Sequence, residues 1–304
     1  MNLAALGFAL GAWRRDATLT LGAGLLLAAL VIPMARRMLA GLRTGSNWTP
    51  LLQVYFGISL AGLFGSLLLG GLLVGAWYPT WHGVIRLGHL HAALLLFLTL
   101  GTVGAIQLAL PLMFHRPLRS AGLGQLVLLL LPASAAGLIT GFVLSSVPIQ
   151  LAAGSVLVVA LALCCVNLFR TWAQAGQPGS AATDHLLTAV IFLLIMVCIG
   201  LAVGINVLST PPAMPYGTLH LMAYTHTAWL GFLLQSVVGS LSFVLPSLLA
   251  ADRVANHKKR GPYREQLEQV LNRWRAAQVA TVSFGSLGLV LVASLTWNLP
   301  LSSD

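Results

Sequence analysis

Acidic residues are nearly missing from this chain. There are six in 304 residues, at Asp16, Asp184, Asp252, Glu265, Glu268 and Asp304, and none lies deep in an apolar run. Proton-driven pumps and transporters usually bury carboxylates in the membrane, so that class loses support. Cysteine is as scarce. Cys164, Cys165 and Cys198 all fall in apolar runs, where they read as buried packing residues, and none belongs to the Cys-x-x-Cys-His pattern that covalent porphyrin attachment requires. No Walker loop and no nucleophile elbow occurs, which speaks against nucleotide or ester hydrolysis.

What the chain has in quantity is hydrocarbon. Apolar residues make up 58% and charged residues 7%, against about a quarter charged in soluble domains. Eight runs with at most one charged residue each, at about 17–35, 51–77, 84–113, 121–145, 149–170, 185–208, 219–249 and 276–299, are each near or above the roughly 20 residues that cross a bilayer. The expectation is an all-α integral membrane protein with eight transmembrane helices, forming one membrane domain over 1–304. The short apolar stretch 3–13 has no leading positive charge and is followed by Arg14-Arg15, so it reads as an interfacial segment and not as a signal peptide.

A net charge of +10 invites a nucleic-acid reading, but its placement argues for topology instead. With eight spans the loops alternate in side. Arg36, Arg37, Arg43, Arg116, Arg119, Arg170, Arg253, Lys258, Lys259, Arg260, Arg264, Arg273 and Arg275 fall on one side, and Arg14, Arg15 and Arg86 on the other. This positive-inside bias predicts a multi-pass protein of a bacterial cytoplasmic membrane with both termini outside and the basic loop 250–275 in the cytoplasm. Lipid is then the expected partner, anionic headgroups included, and nucleic acid is not. Within that loop, Tyr263–Trp274 has the spacing of an amphipathic helix. The proline-rich connection 209–215 reads as a rigid outer link, and 173–180 as a flexible inner one.

The chain also repeats itself. Residues 86–111 and 221–246 agree at nine of 26 positions at an offset of 135, among them His91/His226, Phe97/Phe232 and Pro111/Pro246. The same offset lays the first span on the fifth and the second on the sixth. Two tandem four-helix units are expected, about 17–145 and 149–299, with parallel pseudo-twofold symmetry about the membrane normal.

An imidazole held in hydrocarbon is costly without a partner, and intramembrane histidines are functional candidates by default. Two at matching places suggest a shared partner. His91 and His226 suit the two axial positions of one heme iron near the outer face, since bundles build such sites from facing helices. Phe97, Trp229 and Phe232 offer an apolar slot, and Arg86 a cation for the propionates. His89 is a candidate for a second heme iron or a propionate. It lies two residues before His91, roughly 200° around a helix, so both cannot face one iron. His220, six residues before His226, suits a propionate or water. His82, His115, His185 and His257 read as solvated. Zinc is disfavoured because no thiol or carboxylate is near enough to complete a tetrahedral shell.

The segment Ile85-Arg-Leu-Gly-His89-Leu-His91-Ala-Ala-Leu resembles the tenth helix of the heme–copper oxidase catalytic subunit, most closely the C-type oxidases and related nitric oxide reductases. By that resemblance His91 takes the low-spin heme role and His89 the high-spin one, and His226 loosely resembles the family's other low-spin ligand. The chain departs from the family in having eight spans instead of about twelve. It also has no His-His pair within a span, and no copper is expected. A second likeness, of architecture only, is to heme A synthase, with eight spans in two four-helix halves. This chain offers one histidine-bearing helix per half, where that family has two.

These readings converge on a heme b-binding membrane cytochrome that transfers electrons in a respiratory or other redox complex. Its partners would be other subunits, a periplasmic cytochrome c or a quinol. Two alternatives stay open: a membrane enzyme acting on heme or small gases, and a cofactor-free structural or assembly subunit.

Overall fold

A computed structural model describes residues 2–44, 50–176, 179–208 and 218–295, and all regular structure in them is helical. The helices are α1 Asn2–Arg14, α2 Ala17–Thr44, α3 Pro50–Val74, α4 His82–His91, α5 Leu100–Phe114, α6 Ala121–Val143, α7 Val147–Ala175, α8 Ala181–Leu208, α9 Thr218–His226, α10 Gln235–Arg253, α11 His257–Asn272 and α12 Arg275–Leu295. Two π-helices, Ala92–Thr99 and Thr227–Leu234, join α4 to α5 and α9 to α10 without a break. Eight of the resulting continuous helices are long and apolar enough to cross a bilayer. Closing every backbone hydrogen bond within one segment is what makes a helix the viable form for such sequences in hydrocarbon.

The described chain divides into two compact units, 1–105 with 125–156, and 106–124 with 157–304. In the first, α1 folds back along α2, and α2, α3 and α4 with its π-helix pack in succession. The turn between α1 and α2 puts Arg15 at φ 55, and Asp16 caps α2 by accepting from the Leu19 amide at 3.0 Å. In the second unit, α8 packs against α9, α10, α12 and the second π-helix, and α11 lies along α10. Of the amphipathic segment expected at 263–274, residues 263–272 lie in α11 and the last two form a turn, and α11 carries an Arg264–Glu268 ion pair at 3.1 Å. The link 209–215 lies outside the described residues, as do two residues of the 173–180 linker. The cysteines do not share one environment: Cys164 is buried, Cys165 half-buried and Cys198 exposed.

Gly62 sets the closest approach in the first unit. A Cβ there would stand 2.5 Å from Leu96 Cβ and 2.9 Å from the Leu96 carbonyl carbon, so α3 rests its glycine on the backbone of the π-helix. Small residues drive such contacts in membranes, where apolar side chains gain little by leaving lipid. Ser59, one turn earlier on α3, donates to the Phe97 carbonyl at 2.8 Å. Gly62→Leu is therefore expected to cost about 1–3 kcal/mol of stability by overpacking. Thermal unfolding in detergent would show this as a lowered midpoint. Gly57→Leu, where a Cβ meets nothing within 4 Å, serves as the comparison and should change little.

Candidate functional site

His91 and His226 are built alike. Each is the last residue of its α-helix, and each is followed at once by an eight-residue π-helix. The two π-helices start at 92 and 227 and end at 99 and 234, an offset of 135 at both ends. His91 Nδ1 lies 2.8 Å from the Leu87 carbonyl, and His226 Nδ1 lies 2.7 Å from the Met222 carbonyl. A carbonyl only accepts, so Nδ1 carries the proton in both rings, and in the neutral imidazole Nε2 keeps its lone pair. Among the described residues neither Nε2 has a hydrogen-bond partner. This is the state in which a histidine ligates a metal, with its second nitrogen orienting the ring by donating to a carbonyl.

The π-helices matter because single wide turns inside α-helices recur at functional sites. Widening the turn loosens the regular carbonyl partners, and here the two matched carbonyls, those of Phe97 and Phe232, each accept a serine hydroxyl. Ser59 reaches the first from α3, and Ser236 the second from its own helix, both at 2.8 Å. His91 belongs to the first compact unit and His226 to the second.

The environments differ in detail. The His91 ring packs against Phe142 of α6, centroids 4.7 Å apart and planes tilted by 59°. Beside it in the same unit is an apolar groove of about 350 Å³ lined by Leu69, Trp81, Ile85, Gly88, Ile139 and Val143, with Tyr78 and Val84. Phe97 is half-buried, Trp229 is 58% exposed, and Phe232 is fully buried. Phe232 is therefore a core residue of the second unit and not an open wall of a slot. Arg86 is exposed on α4, five residues before His91. His220 lies in α9, its side chain outside the described part.

His89 faces elsewhere. Its Nδ1 donates to the Ser66 carbonyl of α3 at 2.8 Å, with Ser66 Oγ 3.3 Å away, and a Cβ on Gly70 would meet its Cε1 at 3.1 Å. Two rings two residues apart thus serve different helices, His89 on α3 and His91 on α6.

His185 was expected to be solvated and is not. It is 1% exposed, and its Nδ1 is bonded to Gln235 Oε1. Its place at the very start of a span made it look like an interface residue. The signal that could have found it is Gln235, a neutral polar residue in the middle of the seventh run that needs a partner there. Of the other three, His82, His115 and His257 are exposed.

Compared with protein-family models, curated proteins and solved structures, the chain finds no match.

The His89 bond ties two helices, whereas the His226 bond is local to one. His89→Leu is expected to lower stability by about 1 kcal/mol through loss of the interhelical bond. In heme-free protein His226→Leu should cost less, and heat denaturation of the two variants side by side in detergent measures the difference.

Proposed function

We propose that the chain is a multi-pass membrane cytochrome that holds a b-type heme through His91 and His226 and passes electrons within a redox complex. One observation carries this reading. Two histidines 135 residues apart share the same Nδ1 bond to the carbonyl four residues back, the same open Nε2 and the same following π-helix. Two unrelated packing histidines have no physical reason to share all three.

The donor set fits the group. A heme iron takes its four equatorial nitrogens from the porphyrin and asks the protein for two axial ligands. Among the described residues no three His, Cys, Asp or Glu side chains gather into a metal-holding group, and an axial pair needs no such cluster. When bound, the heme supplies reversible one-electron chemistry. The chain's own residues supply the rest. Leu87 and Met222 orient the rings, Phe142 supports one of them, and Arg86 offers a cation to the propionates. On the heme–copper oxidase resemblance, His89 would serve a second heme, and its open Nε2 leaves that role available.

The same reading extends the tandem relation of the two π-helices to two four-helix units related about the membrane normal. It takes the basic residues of the α10–α12 region as cytoplasmic, with both termini outside. The electron donor or acceptor is then a quinol, a periplasmic c-type cytochrome or a partner subunit. A cofactor-free structural subunit is the second reading, and His89 favours it, because that residue shows an intramembrane histidine acting as a plain interhelical contact.

A reduced-minus-oxidised optical spectrum of the purified protein decides between them. Wild type is expected to show the sharp low-spin b-type band, absent in His91→Ala and in His226→Ala. A folded wild type without the band would remove the cytochrome reading. His226→Met should retain a low-spin heme at a higher midpoint potential, since a His/Met pair raises the potential over His/His, and redox titration of that band checks it.

A further inference from the structure

The second unit contains a buried polar cluster that axial ligation does not use. His185 on α8 bonds through Nδ1 to Gln235 Oε1, and Gln235 Nε2 donates to Ser283 Oγ on α12 at 3.1 Å. Gln235 is fully buried and His185 is 1% exposed. Because Gln235 turns its oxygen toward His185, Nδ1 is the donor and Nε2 is the acceptor in the neutral ring. That Nε2 is buried and has no hydrogen-bond partner among the described residues. An unpaired acceptor costs about 1–3 kcal/mol in a dry interior, and a side-chain amide would offer Gln235 the same kind of hydrogen bond. The ring does one thing an amide cannot, which is to take up a proton near neutral pH.

A cavity lies close to it along α8 in the same unit. A cavity of about 370 Å³ lies among Thr183, Ser242, Ser247, Asn272 and the Arg264–Glu268 pair, and the first turn of α8, Ala181 to Thr183, forms part of its wall. His185 begins the next turn, two residues and about 3 Å further along the helix axis. At about 30 Å³ per water, such a space holds on the order of ten waters. The charged and titratable groups around the cluster are few. Asp184 adjoins His185 and pairs with Arg275 of α12 at 3.8 Å; His115, beyond the end of α5, with Arg264 and Glu268 of α11, lines the cavity; Asp252 and Arg253, at the far end of α10, pair with each other. Asp184 is the carboxylate placed to favour an imidazolium at 185.

We propose that His185 is a proton-binding site inside the membrane domain, filled from water in this cavity, with Gln235 fixing the nitrogen that receives the proton. The site stands independently of heme binding. The test is ¹⁵N NMR of histidine-labelled full-length protein in lipid nanodiscs. The His185 signal is assigned by its loss in His185→Gln, or by its contact with the labelled Gln235 amide if that variant does not accumulate. The expected result is a neutral Nδ1–H ring at about pH 9 that becomes imidazolium on acidification toward about pH 5. Gln235→Glu, which puts a carboxylate against Nδ1, should raise the midpoint by about one pH unit or more. In Ser242→Trp, which fills the cavity, the response to a pH jump should be slowed several-fold. A ring unchanged from about pH 5 to about pH 9 would overturn the site. A response as fast in Ser242→Trp as in wild type would overturn the cavity as its route.

Discussion

Hydrocarbon offers no hydrogen bonds, and this structure is organised around that fact. A polar group placed in it must be satisfied by the chain itself or cost several kcal/mol. The helices answer for the backbone, and the side chains then answer for whatever the helices leave over. Where the turn widens into a π-helix, the Phe97 and Phe232 carbonyls take serine hydroxyls. Where α6 begins, the backbone of Ser120 is held from both sides by Asn167, which accepts from its amide at 3.1 Å and donates to its carbonyl at 3.0 Å. Thr20, Thr171, Thr188, Thr227 and Ser286 each return their hydroxyl proton to a carbonyl one turn back.

Against that background the histidines separate by what they leave open. Each bonded imidazole satisfies one nitrogen, and the fate of the other distinguishes the roles. His91 and His226 keep Nδ1 at home, on their own helix, so an external ligand can be engaged at Nε2 without breaking any contact between helices. His89 spends Nδ1 on α3 and thereby becomes part of the packing. His185 spends Nδ1 on Gln235 and is left with a buried lone pair. The same side chain thus makes three kinds of first bond, to a carbonyl of its own helix, to a carbonyl of another helix, or to another polar side chain.

How much of this was legible beforehand follows from which physical signal each feature carries. The eight spans were plain, because twenty uncharged residues have few other folds available, and the observed helices match the expected runs closely. The amphipathic segment was legible for the same reason, since Arg264 and Glu268 stand four apart on α11. The π-helices were not. Their sequences, AALLLFLT and TAWLGFLL, are uniformly apolar, and a change from four- to five-residue bonding leaves no trace in a pattern with no polar face. The like local setting of His91 and His226, each at the head of a π-helix, lies at the repeat's matched positions, but the different surroundings of Phe97 and Phe232 were not legible, because burial depends on which neighbours arrive. Cys198 and His185 were misjudged for opposite reasons. A residue inside a span can face outward, as Cys198 does, and a residue at the end of one can be buried against a polar partner on another helix, as His185 is against Gln235.

The remaining question is why the chain would keep an open nitrogen at two matched places when a leucine would pack more cheaply. A local bond from Nδ1 to the carbonyl four residues back recovers only part of the cost of burying an imidazole, since that carbonyl already serves the helix. A purely structural histidine should therefore spend its ring between helices, as His89 does. His91 and His226 give Nδ1 to their own helices instead, although the His91 ring also packs on Phe142 of α6, and both forgo an interhelical hydrogen bond at the head of the same kind of helix. The forfeited interhelical bond becomes intelligible if the balance is restored by a strong bond at Nε2, and among ligands that need two imidazoles and an apolar surround, a heme iron is the one this composition accommodates.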